Sequence, residues 1–187
     1  LFNALSDAKV DASARLFATL DPTTRRIRLP SGGQLLLTDT VGFIQKLSPK
    51  VVAAFRATLE ELAESDILLH VVDITHPKAP EQAEVVEATL RDLGLEEKPR
   101  LLVVNKMDLL APGAPGVTSE LLPRWGTSDK SRAFSNRSVF VSAAKGWNLD
   151  RLLEGIEFEL MAASAGPRTE GPVFIGVEKM TGSAAGG

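Results

Sequence analysis

The sequence contains no cysteine, so within these 187 residues disulfide staples, thiol catalysis and cysteine-ligated metal sites are excluded. That composition fits a reducing compartment. Long apolar runs are missing as well: none approaches the roughly 20 residues of a membrane-spanning helix, and no charged segment leads into a signal-peptide core. The expectation is a cytoplasmic chain with no membrane association. A strong excess of one charge is also lacking, and a formal net charge of -3 gives no electrostatic drive for broad nucleic-acid binding. A local basic patch at Arg25, Arg26 and Arg28 could still contact phosphates. No internal repeat is found. An initiating methionine is absent too, and Leu1-Phe2-Asn3-Ala4-Leu5 has the pattern of an amphipathic helix without a start signal. The expectation is a chain that begins inside a domain.

What is present is an ordinary globular composition, 44% apolar and 24% charged, enough for one domain with a sizeable core. Residues 6 to 25 are polar without a sustained period and read as a long loop. Short strand-like runs, Arg26 to Pro30 and Gln34 to Asp39, flank the turn signal Ser31-Gly32-Gly33. Between Pro49 and Asp66, Val51, Phe55, Leu59 and Leu62 recur at helical spacing. Ile67 to Val72 and Arg100 to Val104 are apolar strand candidates, separated by a helix carrying Val85, Val86, Leu90 and Leu93 and ended by Gly94. Residues 111 to 137 read mostly as loop, with one short helix near Ser119. Ser138 to Val141 is a last strand candidate before Asn148, a plausible N-cap for the helix of Leu149, Leu152, Leu153, Ile156 and Leu160. Apolar strands alternating with helices predict an α/β fold with a mostly parallel sheet covered on both faces. Beyond Met161 the composition shifts to Ala, Ser, Gly and Pro, broken by Val173 to Val177, a strand-like or docking segment. Thr181 to Gly187 read as tail.

Ligands of open α/β sheets bind at the carboxyl ends of the strands, and three clusters fall there: Asp39-Thr40-Val41-Gly42, Asn105-Lys106-Met107-Asp108 and Ser142-Ala143-Ala144-Lys145. Guanine presents a ring N–H and an exocyclic amino group on one edge. A carboxylate at Asp108 can accept from both, while Asn105 bonds the base and ties the loops and the Lys106 stem lies along the ring. A backbone N–H at Ala143 could donate to the guanine carbonyl. A solvated turn is the plain alternative for Asn-Lys-x-Asp, since Asn and Asp favour turns. Asp39 and Gly42 fit a nucleotide reading in which Asp39 holds a metal-bound water and the Gly42 N–H meets the terminal phosphate. Thr19 could ligate magnesium through its hydroxyl, with Thr23 and Thr24 competing for the role and an ordinary loop threonine as the alternative. His70 reads as a core or edge residue, His76 as a turn residue, and Trp125 and Trp147 as packing residues.

In this combination the chain resembles the GTPase domain of the HflX family of translation-factor-related GTPases. The most specific stretches are Leu16-Phe17-Ala18-Thr19-Leu20-Asp21-Pro22-Thr23-Thr24-Arg25-Arg26 and Leu36-Leu37-Thr38-Asp39-Thr40-Val41-Gly42-Phe43-Ile44, with Ala54-Phe55-Arg56-Ala57-Thr58-Leu59-Glu60-Glu61 similar to the family's second-switch helix. The resemblance runs from about Leu1 to Leu160. It implies a Ras-like nucleotide fold, magnesium, hydrolysis of GTP to GDP and phosphate, and a place on the large ribosomal subunit, among rRNA and ribosomal proteins, in splitting or rescuing stalled ribosomes. Carried over by the resemblance are Thr19 and Asp39 as magnesium-site residues, Asp39 and Gly42 as the second-switch pair, Asn105, Lys106 and Asp108 as base readers, and Ser142 and Ala143 as the last base-binding loop. A monomer is expected.

One departure concerns the phosphates. No Gly-x-x-x-x-Gly-Lys-Ser/Thr loop occurs in the 187 residues. Leu1 to Leu5 resembles the helix that follows such a loop, so the expected organisation is a GTPase domain over residues 1 to 161 lacking its first strand and phosphate loop, then an extension over 162 to 187. A second departure is Phe43, which follows Gly42 where Ras-like enzymes that orient the attacking water from this position use Gln. The group that replaces it is not identified by the sequence. Two other readings remain open: a ribosome-binding module with a defunct nucleotide site, and the GTPase domain of another ribosome-associated family.

Overall fold

The computed structural model describes residues 1–6, 23–39, 62–110 and 138–163, and the backbone of 173–177. Thr19, Gly42, Phe43 and Trp125 lie outside the described residues, as do the 111–137 segment and all but the end of the helix expected over 49–66, where Leu62, Ala63 and Glu64 are helical.

The elements are α1 (Phe2–Ser6), β1 (Thr23–Arg28), β2 (Gln34–Asp39), β3 (Leu68–Asp73), α2 (Ala79–Asp92), β4 (Arg100–Asn105), a 3₁₀ turn (Met107–Leu109), β5 (Ser138–Phe140), α3 (Leu149–Ala163) and β6 (Val173–Val177). They form one six-stranded sheet in the order β1-β2-β6-β3-β4-β5. Among the described strands only the β1–β2 hairpin is antiparallel; β2–β6, β6–β3, β3–β4 and β4–β5 all run parallel.

The hairpin turns where Gly32 takes a φ of 90° and Gly33 accepts the Leu29 N–H at 2.8 Å. β1 starts earlier than its apolar pattern indicates. Thr23 and Thr24, expected in the loop, already pair with Asp39 and Thr38, and the Thr24 and Thr38 hydroxyls meet at 2.8 Å. Arg25, Arg26 and Arg28 lie exposed on this edge strand.

In β3 and β4 every second residue faces the same side, and both sides are apolar. Leu69, Val71, Leu101 and Val103 pack with Phe2 of α1 and with Leu152 and Ile156 of α3. On the opposite face Val72, Leu102 and Val104 meet Ala79, the first residue of α2, while Leu68 meets Val86 and Leu90 along that helix. The sheet is thus covered on both faces. Leu152 and Ile156 are fully buried, each contributing roughly 1.5–3 kcal/mol.

α2 stops at a glycine because its end needs a left-handed residue. Gly94, at φ 71°, donates to the Arg91 carbonyl at 2.9 Å, and Leu95 donates to the Leu90 carbonyl at 2.8 Å, the pairing of a Schellman ending. His70 is buried in β3, 3.8 Å from Glu87 of α2, whose other oxygen meets Arg100 at 3.0 Å. Val173 to Val177, read as strand-like, is a strand in the middle of the sheet, with Ile175 paired to both Asp39 and Leu69.

Candidate functional site

The carboxyl ends of β3, β4 and β5 bring three loops together. Register sets their heights: Asp73 lies opposite Asn105 at the ends of β3 and β4, and Phe140 lies opposite Val104. After Asn105 the chain does not continue as strand. Lys106 adopts a left-handed φ of 68°, and Met107 to Leu109 form a single 3₁₀ turn. For a non-glycine residue that backbone costs about 1–2 kcal/mol, and the fixation of the turn around it offsets the cost. Met107 is 1% exposed among Val104, Phe140 and Trp147, and its N–H donates to the Val141 carbonyl at 3.2 Å. The buried Met107 therefore pins the turn and leaves its neighbours, Lys106 and Asp108, at the surface.

Side chains then cross between the loops. Asn105 Oδ1 accepts the Ala143 N–H at 3.0 Å. Asp108 Oδ1 accepts the hydroxyl of Ser142 at 2.6 Å, and the Ser142 oxygen in turn accepts the Lys145 N–H at 3.1 Å. Ser142 is completely buried and forms an isolated two-bond bridge with Trp147, so the loop between them closes tightly around Gly146 at φ 70°. Asn148 follows at φ 57°, its side-chain amide donating to the Phe140 carbonyl at 2.9 Å while its own carbonyl accepts the Leu152 N–H that opens α3.

These bonds fix which atoms remain for a ligand. With its carbonyl oxygen on Ala143, the Asn105 amide presents N–H donors, suited to a purine N7 acceptor. Asp108 keeps one carboxylate oxygen clear of Ser142, a double acceptor for an N–H edge. On the other flank Lys106 Nζ meets Asp73 Oδ2 at 2.6 Å. Burial alone would push the Asp73 carboxyl up, but the hydrogen bonds from Lys106 and Thr75 outweigh it and hold the group below its ordinary 3.8. The second Asp108 oxygen, the Asn105 amide donor and the Lys106 stem thus stand on one loop at the carboxyl edge of the sheet.

The family described as "50S ribosome-binding GTPase" has a sequence model that matches residues 1–106. Similarity to individual proteins extends further: the GTPase HflX of Caldanaerobacter subterraneus subsp. tengcongensis is 48% identical over 160 residues, 86% of this chain and 33% of that protein. The chain belongs to the HflX family of GTPases. The GTPase HflX of Magnetococcus marinus is 51% identical over 82% of the chain and 32% of its own length, and that of Escherichia coli is 38% identical over 83% and 34%. This chain thus spans about a third of the HflX relatives it matches. A crystal structure of an SsGBP variant aligns with a TM-score of 0.65 at 26% identity, covering 88% of this chain and 52% of that one.

Of the site residues that the HflX resemblance carries over, Asn105, Lys106, Asp108, Ser142 and Ala143 converge in space. The Ala143 N–H, given to a guanine carbonyl in the sequence reading, is donated here to Asn105. Asp39 stands apart from this cluster, buried at the end of β2 between Thr23 and Ile175. Asp73 was not singled out by sequence, Met107 was named only as the variable position of its motif, and Asn148 only as an N-cap. The one available signal was Asp73's place at the end of an apolar strand run, the same placement that marks Asp39 and Asn105.

Proposed function

We propose that this chain supplies the base-reading half of a GTPase that binds guanine nucleotide and hydrolyses GTP to GDP and phosphate on the large ribosomal subunit, splitting or rescuing stalled ribosomes from the cytoplasm as a monomer. The observation that carries the reading is the pair of crosslinks Asn105–Ala143 and Asp108–Ser142, which orients an amide donor and a carboxylate acceptor on adjoining loops. Guanine enters with its N–H edge on Asp108 and its N7 on the Asn105 amide. Adenine would place a lone pair where Asp108 needs a donor, and that repulsion makes the selectivity.

The described part of a magnesium site is compatible with that ion. Asp39 is an oxygen donor at the carboxyl edge of the sheet, 7% exposed, and hard oxygen ligands suit magnesium. Asp39 and Thr19 would hold it, and when bound it supplies charge neutralisation at the phosphate oxygens. Asn105, Lys106 and Asp108 hold the base; Gly42 gives the terminal phosphate a backbone N–H approached without a side chain. Residues 1 to 161 form the GTPase domain in this proposal, without a phosphate loop among them, and 162 to 187 form an extension. Its chemistry is mainly positioning and charge stabilisation of phosphoryl transfer to water.

The test is competition binding with the complete protein that carries this chain. GTP and GDP should displace a fluorescent guanine nucleotide while ATP does not, and equal displacement by ATP would overturn the assignment. The 187 residues alone, holding no phosphate loop, should bind GTP weakly and turn it over negligibly; micromolar affinity would overturn that part.

A further inference from the structure

Asp73 lies outside the Asn-Lys-x-Asp and Ser-Ala segments, yet its carboxylate is committed at both oxygens. Oδ1 accepts the Thr75 N–H at 3.0 Å and the Thr75 hydroxyl at 2.7 Å, so the group is held by its own loop. Oδ2 receives the Lys106 ammonium at 2.6 Å. The two backbones are joined as well: Asp73 sits in register with Asn105, and the Ile74 N–H donates to the Asn105 carbonyl at 3.1 Å. A side chain on β3 thereby controls one on the loop after β4.

We propose that Asp73 is a positioning residue for guanine-nucleotide binding, holding the Lys106 side chain beside the base plane before the ligand arrives. The proposal rests on the guanine reading of the site. Lysine has many rotamers, and the Lys106 side chain is 50% exposed, so without an anchor it would sample water and have to be ordered on binding. The Asp73 side chain is only 16% exposed and is fixed by Thr75, which makes it a rigid anchor for a mobile chain. Anchoring at Nζ leaves the aliphatic stem as the surface offered to the ring. Asp73 itself need not touch the nucleotide.

The experiment is a double-mutant cycle on GDP affinity in the complete protein, with Asp73→Asn, Lys106→Ala and the pair, alongside Asp108→Ala. Asp73→Asn keeps an acceptor for Thr75 and removes the charge. It should raise the GDP Kd roughly three- to tenfold, and in the Lys106→Ala background it should change the Kd less than about twofold. Thr75→Val, which loosens the anchor without removing it, should give a smaller loss in the same direction and serves if Asp73→Asn does not fold. Equal losses with and without Lys106, accompanied by a lowered melting temperature, would show a merely structural carboxylate and overturn the proposal. An unchanged Kd in Asp73→Asn and Thr75→Val would overturn it too. Asp108→Ala separates the two readings: if it weakens GDP binding while Asp73→Asn does not, only the positioning role falls, and if it has no effect, the guanine site and the inference built on it fall together.

Discussion

Ser142 and Asp108 are 34 residues apart in sequence, yet the Ser142 hydroxyl donates to Asp108 Oδ1 at 2.6 Å. A carboxylate on a single 3₁₀ turn could rotate freely. The completely buried serine fixes one of its oxygens and so aims the other. Ser142→Ala should therefore weaken GDP binding in the complete protein by about 0.5–1.5 kcal/mol, the net worth of one hydrogen bond. Titration calorimetry reads the change; affinity equal to wild type would mean that Asp108 is oriented by other contacts.

Exchanging the acceptor at Asp108 for a donor should change which base is preferred. Asp108→Asn presents an amide N–H to the edge where guanine carries its amino group, whereas xanthine carries a carbonyl there. The expected outcome is loss of GDP binding by more than tenfold, on the order of 1.4 kcal/mol or more, with a gain for the xanthine nucleotide. Competition binding with both diphosphates measures it, and a variant that still prefers guanine would remove Asp108 from the base-reading role.

The Asp73–Lys106 pair predicts a pH dependence of stability. The folded value of the Asp73 carboxyl is lower than its ordinary 3.8, so as pH falls the unfolded chain takes up this proton first. The contribution is complete above the ordinary value and is lost as pH drops through the lowered folded one. Wild type should exceed Asp73→Asn in urea resistance at about pH 7, and the gap should narrow towards about pH 3. A gap constant across that range would show that the charge on Asp73 contributes nothing to folding.

β6 yields a prediction about the sheet. Val173–Val177 lies between β2 and β3, and its central residue Ile175 pairs on both sides. Ile175→Pro should lower stability by roughly 2–4 kcal/mol, read from the urea midpoint of the 187-residue chain. The same substitution on an edge strand would be mild. A midpoint unchanged by Ile175→Pro would remove β6 from the centre of the sheet.

Much of this architecture was legible in the sequence because apolar pattern reports burial directly. Ile67 to Val72 and Arg100 to Val104 lack alternation, which is what strands covered on both faces require, and both are central strands. The start of β1 was not legible: Thr23 and Thr24 are polar, and the Thr24–Thr38 contact that accompanies their pairing depends on a partner in another strand. Asn148 stands ahead of α3 as expected, but the hydrogen bond from its side-chain amide to the Phe140 carbonyl follows from the way β5 and the 3₁₀ turn pack together.

By itself the sequence determined the chemistry on offer: that apolar strands run up to Asp39, Asn105 and Ser142, and that Asn, Lys, Asp and Ser side chains able to hydrogen-bond a base stand at or just beyond their ends. Residue type and local period are enough for that. Only the tertiary structure decided which of those atoms are already engaged. Asn105 turns its oxygen to Ala143, Asp108 gives one oxygen to Ser142, Lys106 goes to Asp73, and Val173 to Val177 enters the sheet between β2 and β3. Hydrogen bonds of this kind require donor and acceptor within about 3 Å, and for groups more than 30 residues apart that distance is set by strand register and packing, neither of which is written in any local stretch of sequence.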